Sequence, residues 1–232
     1  MNPFLMIQAA GQVVDAPLEG EELAEKSIDL IELTMMGGWI MYPLLLMSVI
    51  AIYIFVERYI VLRRASNIDT TFINRIRDYI HDGKIDSALA LCRSNNHPVS
   101  RMIEKGVSRI GRPLSDVNAA IENVGNLEVA SLEKGLTTLA SIAGGAPMLG
   151  FLGTVIGMVI SFWEMANSGA NIVISQLAGG IYTALITTVG GLIVGILAYF
   201  AYNILVSRVQ KVVFNMEAQT MEFMDVLYEP AR

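Results

Sequence analysis

Residues 135–163 read GLTTLASIAGGAPMLGFLGTVIGMVISFW, 29 residues without a charge. A helix rises about 1.5 Å per residue and the hydrocarbon core of a bilayer is about 30 Å thick, so roughly 20 such residues suffice to cross it. The stretch is read as one long transmembrane helix. Glu164 closes it, and another 43 uncharged residues run from Met165 to Ser207. That run is too long for one span and too short for two with a turn. Its polar opening, Asn167-Ser168-Gly169-Ala170-Asn171, is read as a loop, which leaves a single further span. Towards the N-terminus, MMGGWIMYPLLLMSVIAIYIFV at 35–56 gives 22 more uncharged residues and a third span. The expected architecture is an all-α integral membrane protein with spans at 39–62, 135–165 and 176–206 and a short loop at 166–175.

Composition agrees. Of 232 residues 53% are hydrophobic and only 16% charged, against about 25% charged in an ordinary soluble domain. The net charge of −6 lacks the basic excess of a general nucleic-acid binder. Cys92 is the sole cysteine, which excludes an internal disulfide and a multi-cysteine zinc site. No Gly-x-x-x-x-Gly-Lys-Ser/Thr phosphate loop and no His-Glu-x-x-His motif occurs, and neither histidine falls in a span. Cys92 reads as a small buried hydrophobe, and His81 and His97, beside turn residues, as solvated surface groups. Neither enzymatic chemistry nor a cofactor or metal is expected.

Basic residues orient the chain. Residues 1–38 hold one, Lys26, against seven acids, and 166–175 holds none. Segment 58–134 holds twelve, and Arg208, Lys211 and Arg232 follow the last span. The positive-inside rule places the N-terminus and the 166–175 loop outside, and 63–134 and the 207–232 tail in the cytoplasm. Residues 1–38 lack the basic start of a signal peptide. Within them, Leu23, Ile28, Ile31 and Met35 recur at near-helical spacing among acids, as in an amphipathic helix on the outer membrane surface. Segment 63–134 shows helical patterning broken at Asp82-Gly83, Asn95-Asn96-His97-Pro98 and Gly111-Arg112-Pro113, which predicts a helical bundle continuous with the second span.

Small residues recur every three or four positions in the last two spans: Ala143, Ala146, Gly150, Gly153, Gly157 and Ser161, then Gly180, Ala184, Thr187, Gly191, Gly195 and Ala198. In lipid such faces bring helices together by close backbone approach, and here they are expected to join copies of the chain. Thr154, Thr183, Thr187 and Thr188 add hydroxyls that predict a polar seam for water or for a partner's ionisable group. Pro147 removes one backbone bond and predicts a bend beside Gly144-Gly145.

Two motifs, APMLGFLGTVIGM at 146–158 and GIYTALITTVGGL at 180–192, followed by Ala201-Tyr202-Asn203, resemble the MotA/TolQ/ExbB proton-channel family and most closely its ExbB branch. Gly-Gly-Trp-Ile-Met-Tyr-Pro at 37–43 and Val56-Glu57-Arg58 resemble the family's first span, with Glu57 and Arg58 as charges at the cytoplasmic membrane edge. The resemblance implies a pentamer in the bacterial inner membrane, its second and third spans enclosing an ExbD/TolR-like dimer of single-span chains. Protons would pass by way of that partner's aspartate, and a TonB-like or TolA-like protein would carry the work outward. The family's pore threonines match Thr154 and Thr188, with Thr183 and Thr187 beside the path. Pro147, Gly150, Gly153, Gly157, Gly180, Ala184, Gly191, Gly195 and Asn203 would serve helix packing and the partner interface. Where some relatives carry a glutamate in the third span, this chain has Thr183. The central parts of its spans therefore lack an ionisable side chain, and a non-conducting scaffold for a receptor or secretion complex stands as the alternative to an ion-driven motor.

Overall fold

The structure is a computed structural model that describes residues 37–66, 71–167 and 174–228. The expected outer amphipathic helix lies outside these residues, as do the middle of the 166–175 loop and the last four positions. Every described element is a helix: α1 Met41–Ala65, α2 Phe72–His81, α3 Ile85–Ser94, α4 Pro98–Val107, α5 Leu114–Glu133, α6 Leu136–Asn167 and α7 Ile174–Tyr228. Three stretches, in α1, in α5–α6 and in α7, are long and apolar enough to cross a membrane.

The helices start and stop for local reasons. Proline at the first position of α4 loses no bond, because that N–H would be unpaired in any helix. Gly83 and Gly111 have φ of 72° and 93°, left-handed turns that close α2 and the loop before α5. Between α5 and α6 the chain breaks only at Lys134-Gly135, where Gly135 takes φ 82°. Helix α6 then continues through Pro147, so the proline sits inside an unbroken helical element. The third span and the expected tail are one helix of 55 residues, about 80 Å at about 1.5 Å per residue.

On α1 the buried positions are Leu44, Ala51, Arg58, Leu62 and Ala65, a stripe at coiled-coil spacing on which Leu44 lies by Gly190 of α7 and Arg58 reaches Ser131 of α5. Helices α1 and α7 run parallel, as shown by Met41 against Gly190 and Tyr59 against Arg208. Helix α6 runs antiparallel between the same ends. The short helices gather at the basic end of the spans, where Val99, Ile103, Val107, Ile121, Met216 and Phe223 form a buried core. A Cβ on Gly106 would meet Ile121 and Phe223 at 2.7 Å, so α4, α5 and α7 touch at that glycine.

Candidate functional site in the second and third spans

The small-residue faces meet each other within one chain. A Cβ on Gly150 would stand 2.8 Å from the Thr187 carbonyl oxygen, and one on Gly157 would stand 2.9 Å from the Ala184 Cβ. One on Gly191 would stand 2.6 Å from the Ala146 carbonyl oxygen, and one on Gly153 would collide with the Thr187 side chain. Gly180 lies against Ser161, whose hydroxyl donates to the Gly157 carbonyl at 2.9 Å. The faces expected to join copies are thus filled, in each copy, by the neighbouring span of the same chain. Pro147 fits this contact: it leaves the Ala143 carbonyl without its helical donor, and Gly195 lies over both the ring and that oxygen.

Within this seam three hydroxyls crowd two carbonyls. Thr187, 1% exposed, donates to the Ala184 carbonyl at 2.7 Å. Thr188 donates to the Gly150 carbonyl at 3.1 Å. The Thr154 hydroxyl touches that of Thr188 directly and lies 3.3 Å from the Ala184 carbonyl and 3.4 Å from its own Gly150 carbonyl. Each hydroxyl has one proton, and in this cluster it is committed to a carbonyl or to the other hydroxyl. What remains on half-buried Thr154 and Thr188 is acceptor capacity, suited to water or to a protonated carboxyl group.

The other threonines part company with this pair. Thr187 is enclosed between the spans and lines no open surface. Thr183 faces the start of α1, where a Cβ on Gly38 would lie 3.8 Å from its methyl group. Asn203 is exposed, and its amide donates to the Tyr199 carbonyl of its own helix at 2.9 Å. Opposite the glycine face, Phe151, Val155, Val159 and Phe162 form an outward apolar stripe on α6.

At the basic end of the spans, the expected edge charge Arg58 turns inward and is only 9% exposed. It donates to the Ser131 carbonyl at 3.1 Å and to Glu57 at 3.0 Å, while its Nε has no partner. At the next residue of α1, the Arg208 guanidinium lies 4.2 Å from the centre of the Tyr59 ring and donates to its hydroxyl at 3.1 Å. Charge counting gave no hint of this pairing, because the partners lie 149 residues apart.

Outside the spans, burial pushes the Cys92 thiol up to about 12, as befits a packed hydrophobe. His97 departs from its expected place at the surface. It is half-buried, caps α4 by accepting the Val99 N–H at Nδ1, and holds the Ala65 carbonyl at 2.9 Å through Nε2. Burial holds its pKa below the usual imidazole value, Arg101 adds to that effect, and the Ala65 bond and Glu128 oppose it.

These features define a three-span helical membrane protein whose last two spans are clamped by glycines around a hydroxyl cluster. The MotA/TolQ/ExbB proton channel family matches residues 94–218, and the chain belongs to that family. It is 34% identical over 191 residues to an ExbB homolog of biopolymer transport from Methanothermobacter thermautotrophicus, a match covering 81% of this chain and 66% of that protein. It is 28% identical to the biopolymer transport protein ExbB of Neisseria meningitidis over 70% of this chain and 78% of the relative. It is 38% identical to the Tol-Pal system protein TolQ of Haemophilus influenzae over 46% of each.

Proposed function

We propose that this chain is the multi-pass subunit of an ion-driven motor of the bacterial inner membrane, with the proton as the ion. It assembles as a homopentamer around an ExbD/TolR-like dimer of single-span chains, and a TonB-like or TolA-like protein carries the resulting motion to the outer membrane. The N-terminus and the 166–175 loop lie outside, and the helical bundle and the end of α7 lie in the cytoplasm. The observation that carries this reading is the Thr154–Thr188 pair, the one place among the described residues of the paired spans where half-buried hydroxyls from both helices meet. Spans with no ionisable side chain in their central parts leave the titrating group to the partner's aspartate. The pair accepts a hydrogen bond from that acid, or from water, as the proton passes. The outward stripe Phe151–Phe162 on α6 supplies apolar surface for neighbouring copies.

The test is the double variant Thr154→Val/Thr188→Val. Valine keeps the shape and removes the hydroxyls, so oligomer and partner retention should be unchanged. Two lost hydrogen bonds of about 1 kcal/mol each should slow gradient-driven ion flux into vesicles roughly tenfold or more. Thr183→Val, on the other side of α7, should leave flux near that of the native chain. One observation favours the non-conducting scaffold instead: the protons of Thr154, Thr187 and Thr188 already satisfy one another and the Gly150 and Ala184 carbonyls. Native flux in an assembled double variant would leave the scaffold as the better reading.

A further inference from the structure

Helices α1 and α7 border a groove of about 310 Å³ on the side of the spans nearer their basic end. Ala51 and Ala198, both buried, form its floor. Phe55, Leu197, Phe200 and Ile204 rise as walls, and nearly all of the lining is apolar. From Val194 to Ile204 the groove side of α7 runs 10 residues, about 15 Å at about 1.5 Å per residue, which is half of a hydrocarbon core about 30 Å thick. The groove therefore has the depth of a single leaflet.

Its mouth is cationic. Leu197, Ala201, Ile204 and Arg208 follow one stripe of α7, so Arg208 stands where the groove reaches the membrane edge. Among the described residues the only partner of this guanidinium is Tyr59, by ring stacking and one hydrogen bond, although it carries five N–H donors. Arg63 lies one turn beyond Tyr59 and Lys211 one turn beyond Arg208, both exposed. No acid occurs from Arg58 to Ser66 or from Ile204 to Met216. An apolar slot one leaflet deep, ending at an arginine with free donors and no carboxylate, complements a molecule with an acyl chain and an anionic head.

We propose that the α1–α7 groove binds an anionic glycerophospholipid, one acyl chain lying on Ala51 and Ala198 and the phosphate on Arg208. The Tyr59 ring holds the guanidinium at the mouth, so the bound lipid bridges the first and third spans. Binding is a property of each chain, independent of ion conduction.

The test is native mass spectrometry of the full-length oligomer taken from bilayers of equal phosphatidylglycerol and phosphatidylcholine. The native chain should retain phosphatidylglycerol in preference to phosphatidylcholine. Arg208→Gln should reduce that preference by roughly fivefold, the size of one basic group's attraction to an anionic lipid surface. Arg208→Lys should keep most of it, and Tyr59→Phe, which keeps the ring, should change it little. Ala201→Phe fills the slot and should lower retention of both lipids while the oligomer stays intact. Equal loss of both lipids from the native chain would overturn the proposal, as would unchanged retention in both Arg208→Gln and Ala201→Phe. Disulfide cross-linking of Phe200→Cys to a second copy would also overturn it, because the groove would then be covered by protein.

Discussion

The two nitrogens of His97 face in opposite directions, one towards the last turn of α1 and one towards the first turn of α4. Only the neutral ring with its proton on Nε2 serves both, since a proton on Nδ1 would displace the Val99 N–H. The folded state therefore favours the neutral ring, and the pKa lies below its unfolded value. The contribution is fully present above the unfolded value of about 6.5 and is lost as pH falls from there towards the folded pKa. Hydrogen-exchange protection of the α4 amides, relative to their intrinsic exchange rates, should consequently decrease as pH falls from about 7.5 to about 5.5. Asparagine at position 97 should preserve the cap and flatten that pH dependence, whereas His97→Ala should cost about 1 kcal/mol at neutral pH. The adjoining Asn95-Asn96 and Pro98 mark position 97 as a turn, and turn residues are usually solvated. The carbonyl that draws the ring inward belongs to Ala65, 32 residues away, beyond the reach of any local pattern. Thr154 and Thr188 are different: the resemblance of their two motifs to the family singled them out on adjacent spans, and there they meet.

Among the elements, α6 and α7 owe their approach to glycines, so added bulk should separate them inside a single chain before it affects assembly between chains. Gly191→Leu and Gly157→Leu should each cost about 1–3 kcal/mol or more, measured as an earlier midpoint when detergent-solubilised protein is unfolded. Gly144→Leu, where a Cβ meets nothing within 4 Å, should leave that midpoint unchanged. At the α5–α6 break, Gly135→Val should cost a further 1–3 kcal/mol, roughly, because a β-branched residue resists φ 82°. The spans themselves were legible because charge is excluded from lipid. The fusion of the third span with the tail was not, because the apolar run ends near Ser207 while the helix does not. A finer signal was present: Leu205, Val209, Val212, Met216 and Phe223 follow helical spacing, and all five are buried. Their neighbours are polar, so hydropathy alone hides them.

For the whole molecule, the basic residues cluster at one end of three spans that are antiparallel or parallel in the sense that charge counting requires. A reporter active only in the cytoplasm should work when inserted near Asn96 and fail within 167–171, and activity in the loop would reverse the proposed orientation. Oligomer geometry was beyond sequence, since a glycine face looks the same whether its mate is the next span or the next copy. The unbroken length of α7 has a mechanical consequence. Thr188 and Tyr228 sit on one rod, 40 residues or about 60 Å apart at about 1.5 Å per residue. If the proposed motor pivots this helix near the threonines, each degree of tilt gives about 1 Å of travel at its far end. In the proposed motor, a displacement too small to open a gap between two glycine faces would therefore become, at the far end of α7, a stroke the size of a side chain.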